Sequence, residues 1–119
     1  MELSTKIYLL NDNGEKFMGI GVLWLLEAIE ECSSLRQAAA KMGLSYSKAY
    51  TMLSNLEKEL GKPIVDRHKG GHVREGVQLT PFAKEFISLY RSFQDEVKSS
   101  SQILYEKFLQ EYRKMEVQE

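Results

Sequence analysis

Residues 34–61 read SLRQAAAKMGLSYSKAYTMLSNLEKELG, and the parsing of this stretch decides how the rest of the chain is understood. Ser34 followed by Gln37 at the third position is the capping-box pattern that opens a helix. Ala38, Ala39 and Ala40 are small enough to let a second helix approach closely. Gly43 stands where the short helix should end, because a left-handed residue is wanted there and glycine reaches that conformation without steric cost. Leu44 can then plug the turn, and Ser45 can cap a second helix predicted from about Tyr46 to Leu60. Gly61 and Pro63 stop it.

The second helix carries one apolar stripe, Ala49, Met52 or Leu53, Leu56 and Leu60. Its other side holds Ser47, Lys48, Thr51, Ser54, Asn55 and Lys58, with Tyr46 and Tyr50 at the flanks. Hydroxyls, amides, cations and aromatic rims are the groups that bond base edges and phosphates in a major groove. A merely solvated face would more often be dense in Glu and Lys pairs, whereas residues 45–55 contain one cation and no acid. The layout is that of a DNA-reading element.

Downstream, Ile64-Val65 and Val77-Gln78-Leu79 read as two short strands. Between them, Asp66 to Gly76 (DRHKGGHVREG) forms a basic, glycine-containing hairpin behind the reading helix, a wing able to press cations on the backbone or minor groove. Arg67, His68, Lys69, Gly70, Gly71, His72 and Arg74 are its candidate contacts, alongside Ser34, Arg36, Ser45, Tyr46, Ser47, Lys48, Tyr50, Thr51 and Asn55 from the two helices. His68 and His72 have no close third ligand in sequence, so neither a metal nor any other cofactor is assigned.

Thr80-Pro81 is a helix start, threonine as N-cap and proline at the first helical position. Phe82, Phe86, Leu89 or Tyr90, Phe93, Val97, Leu104, Phe108, Tyr112 and Met115 then recur at helical spacing. A continuous helix here would run roughly 50 Å at ~1.5 Å per residue, against the ~30 Å of a small domain. Such a stripe cannot be buried within one chain, and a homodimer with paired long helices is the natural solution. Its expected interface is Trp24, Phe86, Tyr90, Phe93, Val97, Leu104 and Phe108. Ser99-Ser100-Ser101-Gln102 interrupts the stripe and fits a kink, a close crossing or a break into two helices.

Towards the start, Lys6 to Phe17 reads as a β-hairpin turning at Asn13-Gly14, a pair suited to a type I′ turn. Gly19-Ile20-Gly21 imitates a phosphate loop, but Trp24 occupies the third glycine position, so these glycines mark a helix start instead. From Ile20 to Cys32, Leu23, Leu26, Ala28 and Ile29 face a core while Glu27, Glu30 and Glu31 oppose them. Trp24 fits a subunit-contact anchor or a packed core residue equally.

The chain has 119 residues, 43% apolar and 28% charged, which suits one small globular domain. That domain is read as residues 1–80, hairpin and winged helix-turn-helix, with residues 81–119 as the dimerisation helix of the same domain. A single cysteine excludes an intramolecular disulfide framework. The longest apolar run, Val22 to Leu26, is far below the ~20 residues of a membrane span, and the start shows no signal peptide. A soluble cytoplasmic protein without a membrane partner is expected.

Net charge is only −1, but it is segregated. Residues 1–35 hold two Lys/Arg and six Asp/Glu, a net of −4; residues 36–74 hold eight and three, a net of +5; residues 75–119 hold six and eight, a net of −2. A phosphate-facing surface or a solvated basic one would both have this distribution. An enzyme has little support: Cys32 stands by Glu30 and Glu31, whose charges oppose a thiolate nucleophile, and it is read as structural.

The assembled pattern resembles the N-terminal DNA-binding domain of the ModE family of molybdate-responsive regulators, itself similar to the LysR-type winged helix-turn-helix. Gly43-Leu44-Ser45-Tyr46-Ser47-Lys48-Ala49-Tyr50 matches the family's Gly-x-Ser-Tyr-x-x-Ala-Trp, with Tyr50 in place of tryptophan. Leu56-Glu57 to Gly61-Lys62-Pro63, Gly70-Gly71 and Leu79-Thr80 also correspond, over about residues 5–95. The resemblance implies a mainly α fold with small β elements: a prokaryotic, dimeric winged helix-turn-helix with an N-terminal β-hairpin and a long C-terminal dimerisation helix. It also implies transcription regulation through double-stranded DNA at a pseudo-palindromic site, read by the helix from Ser45 and by the wing. The wing departs in carrying Arg74-Glu75, and no oxyanion-binding module follows within 119 residues, so molybdate sensing is not carried over. The competing reading is a winged-helix protein-interaction module without DNA binding.

Overall fold

The computed structural model describes residues 1–67 and 76–117. Its elements are β1 (Leu9–Leu10), β2 (Lys16–Met18), α1 (Ile20–Cys32), α2 (Leu35–Lys41), α3 (Tyr46–Leu60), β3 (Val65–Arg67), β4 (Val77–Leu79) and α4 (Pro81–Val117). The chain divides into two compact units, Ile7–Ser88 and Met1–Lys6 with Leu89–Glu119.

In the first unit, α1 is the helix on which the others are assembled; it contacts α2, α3, β2 and β4. Leu23, Leu25, Leu26, Ala28 and Ile29 are all buried, an arc wider than the expected stripe because α1 is covered from several sides. Leu25 was not expected in the core; it is buried because α1 has neighbours beyond a single face. Trp24 is 55% exposed, which removes the packed-core reading of this residue. The core is completed by Met18, Leu35, Ala38, Ala39, Ala49, Leu53, Leu56, Ile64, Val65, Leu79, Ala83 and Ile87. Of the alternatives on α3, Leu53 is buried and Met52 only half-buried.

The caps follow local chemistry. Ser34 Oγ accepts from the Gln37 N–H at 3.1 Å and Ser45 Oγ from the Lys48 N–H at 3.1 Å, each satisfying an orphan donor of a helix start. Gly43 (φ +70°) and Gly61 (φ +67°) close α2 and α3 in the left-handed region. Thr80 Oγ1 accepts from the Ala83 N–H at 3.1 Å, capping α4, and donates to the Pro63 carbonyl at 2.9 Å.

Three expectations need correction. The N-terminal hairpin pairs Leu9 with Met18 and Leu10 with Lys16, with a register shift between the two pairs. Its turn is not type I′, since Asn13 is not among the positive-φ residues and Gly14 alone in that turn takes φ +79°. Asn11 dictates this: its Oδ1 accepts from the N–H groups of Asn13 and Glu15, both at 2.9 Å, and its carbonyl accepts from the Gly14 N–H at 2.9 Å. The result is a three-residue loop ending in a left-handed glycine.

The second correction concerns β3, which spans Val65–Arg67 rather than starting at Ile64, and pairs antiparallel as Val65↔Leu79, Asp66↔Gln78 and Arg67↔Val77. Ile64 joins the pairing on one side only: its carbonyl accepts the Thr80 N–H at 2.9 Å, while its own N–H goes to Glu57 Oε2 at 2.9 Å. Third, α4 runs through Ser99–Gln102 without a break. In the second unit Tyr90 and Gln94 are buried, while Leu89, Phe93, Ile103, Leu104, Phe108, Tyr112 and Met115 are exposed.

Candidate nucleic-acid interface

The reading face is built by α3. With Ala49, Leu53 and Leu56 buried, rotation by about 100° per residue sets Ser47, Thr51, Ser54 and Lys58 on the opposite side, with Lys48 and Asn55 along one edge. Ser45, Tyr46, Ser47, Lys48, Tyr50, Thr51 and Asn55 are exposed, as is Arg36 on α2, and Ser34 is half-buried at its cap. Among those candidates, Arg36 of α2 meets Tyr46 of α3 across the turn. Of the wing candidates, Arg67 has its backbone in β3; His68, Lys69, Gly70, Gly71, His72 and Arg74 lie outside the described residues.

Two aromatic residues organise the other edge. Tyr46 and Tyr50 stack at 6.3 Å between ring centroids, both nearly half exposed, and the Arg36 guanidinium lies 4.7 Å over the Tyr46 ring. Stacking holds a flexible cation beside the start of α3, where a phosphate would also meet the positive end of the helix dipole. Sequence spacing could not reveal this pairing, because Arg36 and Tyr46 belong to different helices joined through the Gly43 turn.

The acids near this face are engaged in structure. Glu57 bonds the Ile64 N–H, and Glu59 accepts from Asn11 Nδ2 at 3.0 Å, tying the hairpin turn to the last turn of α3. Glu31 is 2.6 Å from Lys41 Nζ, and this hydrogen-bonded carboxylate holds the lysine above its ordinary range. Lys41 thus braces α1 against α2 rather than adding to the reading face. Glu57 and Ile64 are seven residues apart, a link that the acid-poor pattern of residues 45–55 did not disclose.

The wing's return strand is fastened to the helical body. The Val77 N–H donates to the Ser33 carbonyl at 3.1 Å. Gly76, at φ +77°, lies so close that a Cβ there would stand 1.9 Å from that same oxygen. Ser33 itself is left-handed (φ 54°), closing α1.

The expected dimer residues divide by exposure. Trp24, Phe93, Leu104 and Phe108 are exposed, Phe86 and Val97 half-buried, and Tyr90 is only 3% exposed.

Residues 21–84 match the family described as bacterial regulatory helix-turn-helix protein, lysR family. The chain is similar to the molybdenum transport protein ModE of Azotobacter vinelandii, 34% identical over 83 residues, covering 70% of this chain and 31% of that protein. It is also similar to the transcriptional regulator ModE of Haemophilus influenzae, 35% identical over 66 residues, covering 56% of this chain and 26% of that one. The chain thus spans about a third or less of the curated relatives it matches. Among solved structures, the complex of the CbnR DNA-binding domain with DNA superposes with a TM-score of 0.57 at 21% identity, covering 71% of this chain and 92% of that one.

Proposed function

The chain belongs to the lysR family of bacterial regulatory helix-turn-helix proteins, and on that premise we propose that it is a cytoplasmic, sequence-specific transcriptional regulator that binds double-stranded DNA as a homodimer. The observation that carries this reading is the exposed α3 face: hydroxyl, amide and cationic groups, with Glu57 and Glu59 at its end committed to structural bonds. In this mechanism α3 lies in a major groove. Ser47, Thr51 and Asn55 meet base edges, Lys48 and the stacked Arg36 meet phosphates, and wing cations reach the flanking backbone.

Support for the homodimer comes from the exposed apolar residues of α4, which recur at helical spacing for longer than a small domain can cover. Trp24, Phe86, Phe93, Val97, Leu104 and Phe108 are the proposed contacts; Tyr90, buried in its own chain, leaves contact area to these neighbours. Two-fold pairing places two α3 helices on half-sites about one DNA turn, or a multiple of it, apart. No helix among the described residues is long and apolar enough to cross a membrane.

Selection of duplexes from a random-sequence pool, followed by titration over a range of salt, tests the proposal. Binding should favour a pseudo-palindrome, and its log affinity should fall linearly with log salt. Lys48→Ala should weaken binding several-fold; affinity with neither salt dependence nor sequence preference would sink the reading.

A further inference from the structure

We propose that Lys16, on the β1–β2 hairpin and outside residues 21–84 that match the lysR family, is a DNA-phosphate contact that extends the α3 face; the inference rests on the DNA-binding function above. Three observations set this lysine in place. Its Nζ lies 4.1 Å over the centre of the Tyr8 ring, so an aromatic face rather than a carboxylate holds the ammonium. Tyr8 is itself seated against Gly19, where a Cβ would come within 2.8 Å of the ring, so the bare glycine backbone sets how close the ring lies. The hairpin turn is tied to α3 through Asn11 and Glu59.

These constraints deliver Lys16 beside the edge of α3 that carries Asn55. Both residues line a cleft of about 180 Å³ with Phe17, Val22 and Met52. Both also line a second cleft of about 130 Å³, where Lys58 joins them. Glu15 and Glu59 border the second cleft too, each accepting a hydrogen bond from the Asn11 amide. The first cleft has no acid in its lining. Lys16, Asn55 and Lys58 are exposed and together offer two cations and an amide, a donor set suited to a phosphate oxygen. An ammonium is a point charge without the planar fork that reads guanine, so Lys16 adds affinity and orientation rather than base choice.

The full-length chain tests this with a duplex recovered from a random-sequence pool, a shuffled duplex of equal length, and inorganic phosphate alone. Lys16→Ala should weaken both duplexes by the same factor and lower the salt slope by about 1.8, the share of one phosphate contact in each copy of the homodimer. Over a fourfold rise in salt the variant would then lose roughly 12-fold less affinity than the parent chain. Lys16→Arg should keep the slope. Lys16→Gln keeps most of the stem over Tyr8 and should behave as Lys16→Ala does, which separates lost charge from a loosened hairpin. An unchanged slope in both neutral variants would overturn the proposal, as would Lys16-dependent binding of inorganic phosphate together with an unchanged slope on DNA. If the parent chain bound no duplex at all, this proposal would fall together with the reading it rests on.

Discussion

The helix-turn-helix of residues 34–61 and the later part of α4 use the same helical periodicity to opposite ends. On α3 the apolar positions Ala49, Leu53 and Leu56 are consumed by the core, leaving hydroxyls, amides and cations outside. On α4, Leu89, Ile103, Leu104, Phe108 and Met115 keep more than half of their surface exposed. Water tolerates scattered apolar side chains, but a repeating row of large ones marks a surface shaped for another surface. One region is therefore complete as a single copy, its outward face polar and suited to nucleic acid. The other leaves a row of large apolar side chains exposed, the face assigned to a second copy in the proposed homodimer.

The sharpest way to break that contrast is to charge the α4 row. Leu104→Glu with Phe108→Glu should raise the homodimer dissociation constant by roughly a thousandfold, taking about 1 kcal/mol for each of the four anchors lost across the two copies. Sedimentation equilibrium would report it. The circular dichroism of the helix-turn-helix should survive, since neither residue belongs to the Ile7–Ser88 unit. Operator affinity should fall because two linked half-sites become two separate ones. A parent chain that is monomeric at all concentrations would remove the need for a second copy.

A smaller effect tests whether the helix-turn-helix unit is closed on itself. Gly76→Ala would force a side chain into the left-handed region, at about 1–2 kcal/mol. It would also drive Cβ against the Ser33 carbonyl and disturb the Val77 N–H bond, adding about 1 kcal/mol more. A loss of about 3 kcal/mol in chemical denaturation is expected, with dimerisation through α4 retained. A loss below about 1 kcal/mol would mean that the wing's return strand is not fastened where Ser33 and Gly76 meet.

What could be read in advance from these residues was local. As helix caps and stops, Ser34, Ser45, Thr80, Gly43 and Gly61 act within three or four residues of themselves, and these roles follow from backbone chemistry that sequence displays directly, whereas the bond from Thr80 to the Pro63 carbonyl does not. The stripe on α3 was legible for the same reason. What escaped was set by tertiary neighbours: Leu25 is buried because α1 is surrounded, Arg36 finds Tyr46 across a turn, and Gly76 meets Ser33 from 43 residues away. The Asn13-Gly14 dipeptide points to a type I′ turn, but Asn11 offers a side-chain acceptor that outcompetes this preference although it is just as local. Ser99–Gln102 stays helical since serine is only a weak helix breaker when its neighbours are good formers. For the candidate site, the composition of the α3 face was visible, but the engagement of Glu57 and Glu59 and the seating of Lys16 over Tyr8 needed coordinates.

The smallest expected effect has the opposite sign and concerns the same junction. Ser33 is the only non-glycine residue with positive φ among those described, held at φ 54° and ψ 30° to end α1 while its carbonyl receives the Val77 N–H. A side chain there costs about 1–2 kcal/mol relative to an unstrained conformation. Ser33→Gly removes that strain but frees the unfolded chain, returning about 0.5–1 kcal/mol of entropy to the denatured state. The net should be a stabilisation of about 0.5 kcal/mol, a rise of roughly 2–4 °C in melting temperature for a unit of this size. The carbonyl acceptor is untouched, so DNA affinity should stay within twofold of the parent chain. A fall in melting temperature would show that the Ser33 side chain contributes more than its backbone strain removes, and that α1 and the wing are joined through it as well as through its carbonyl.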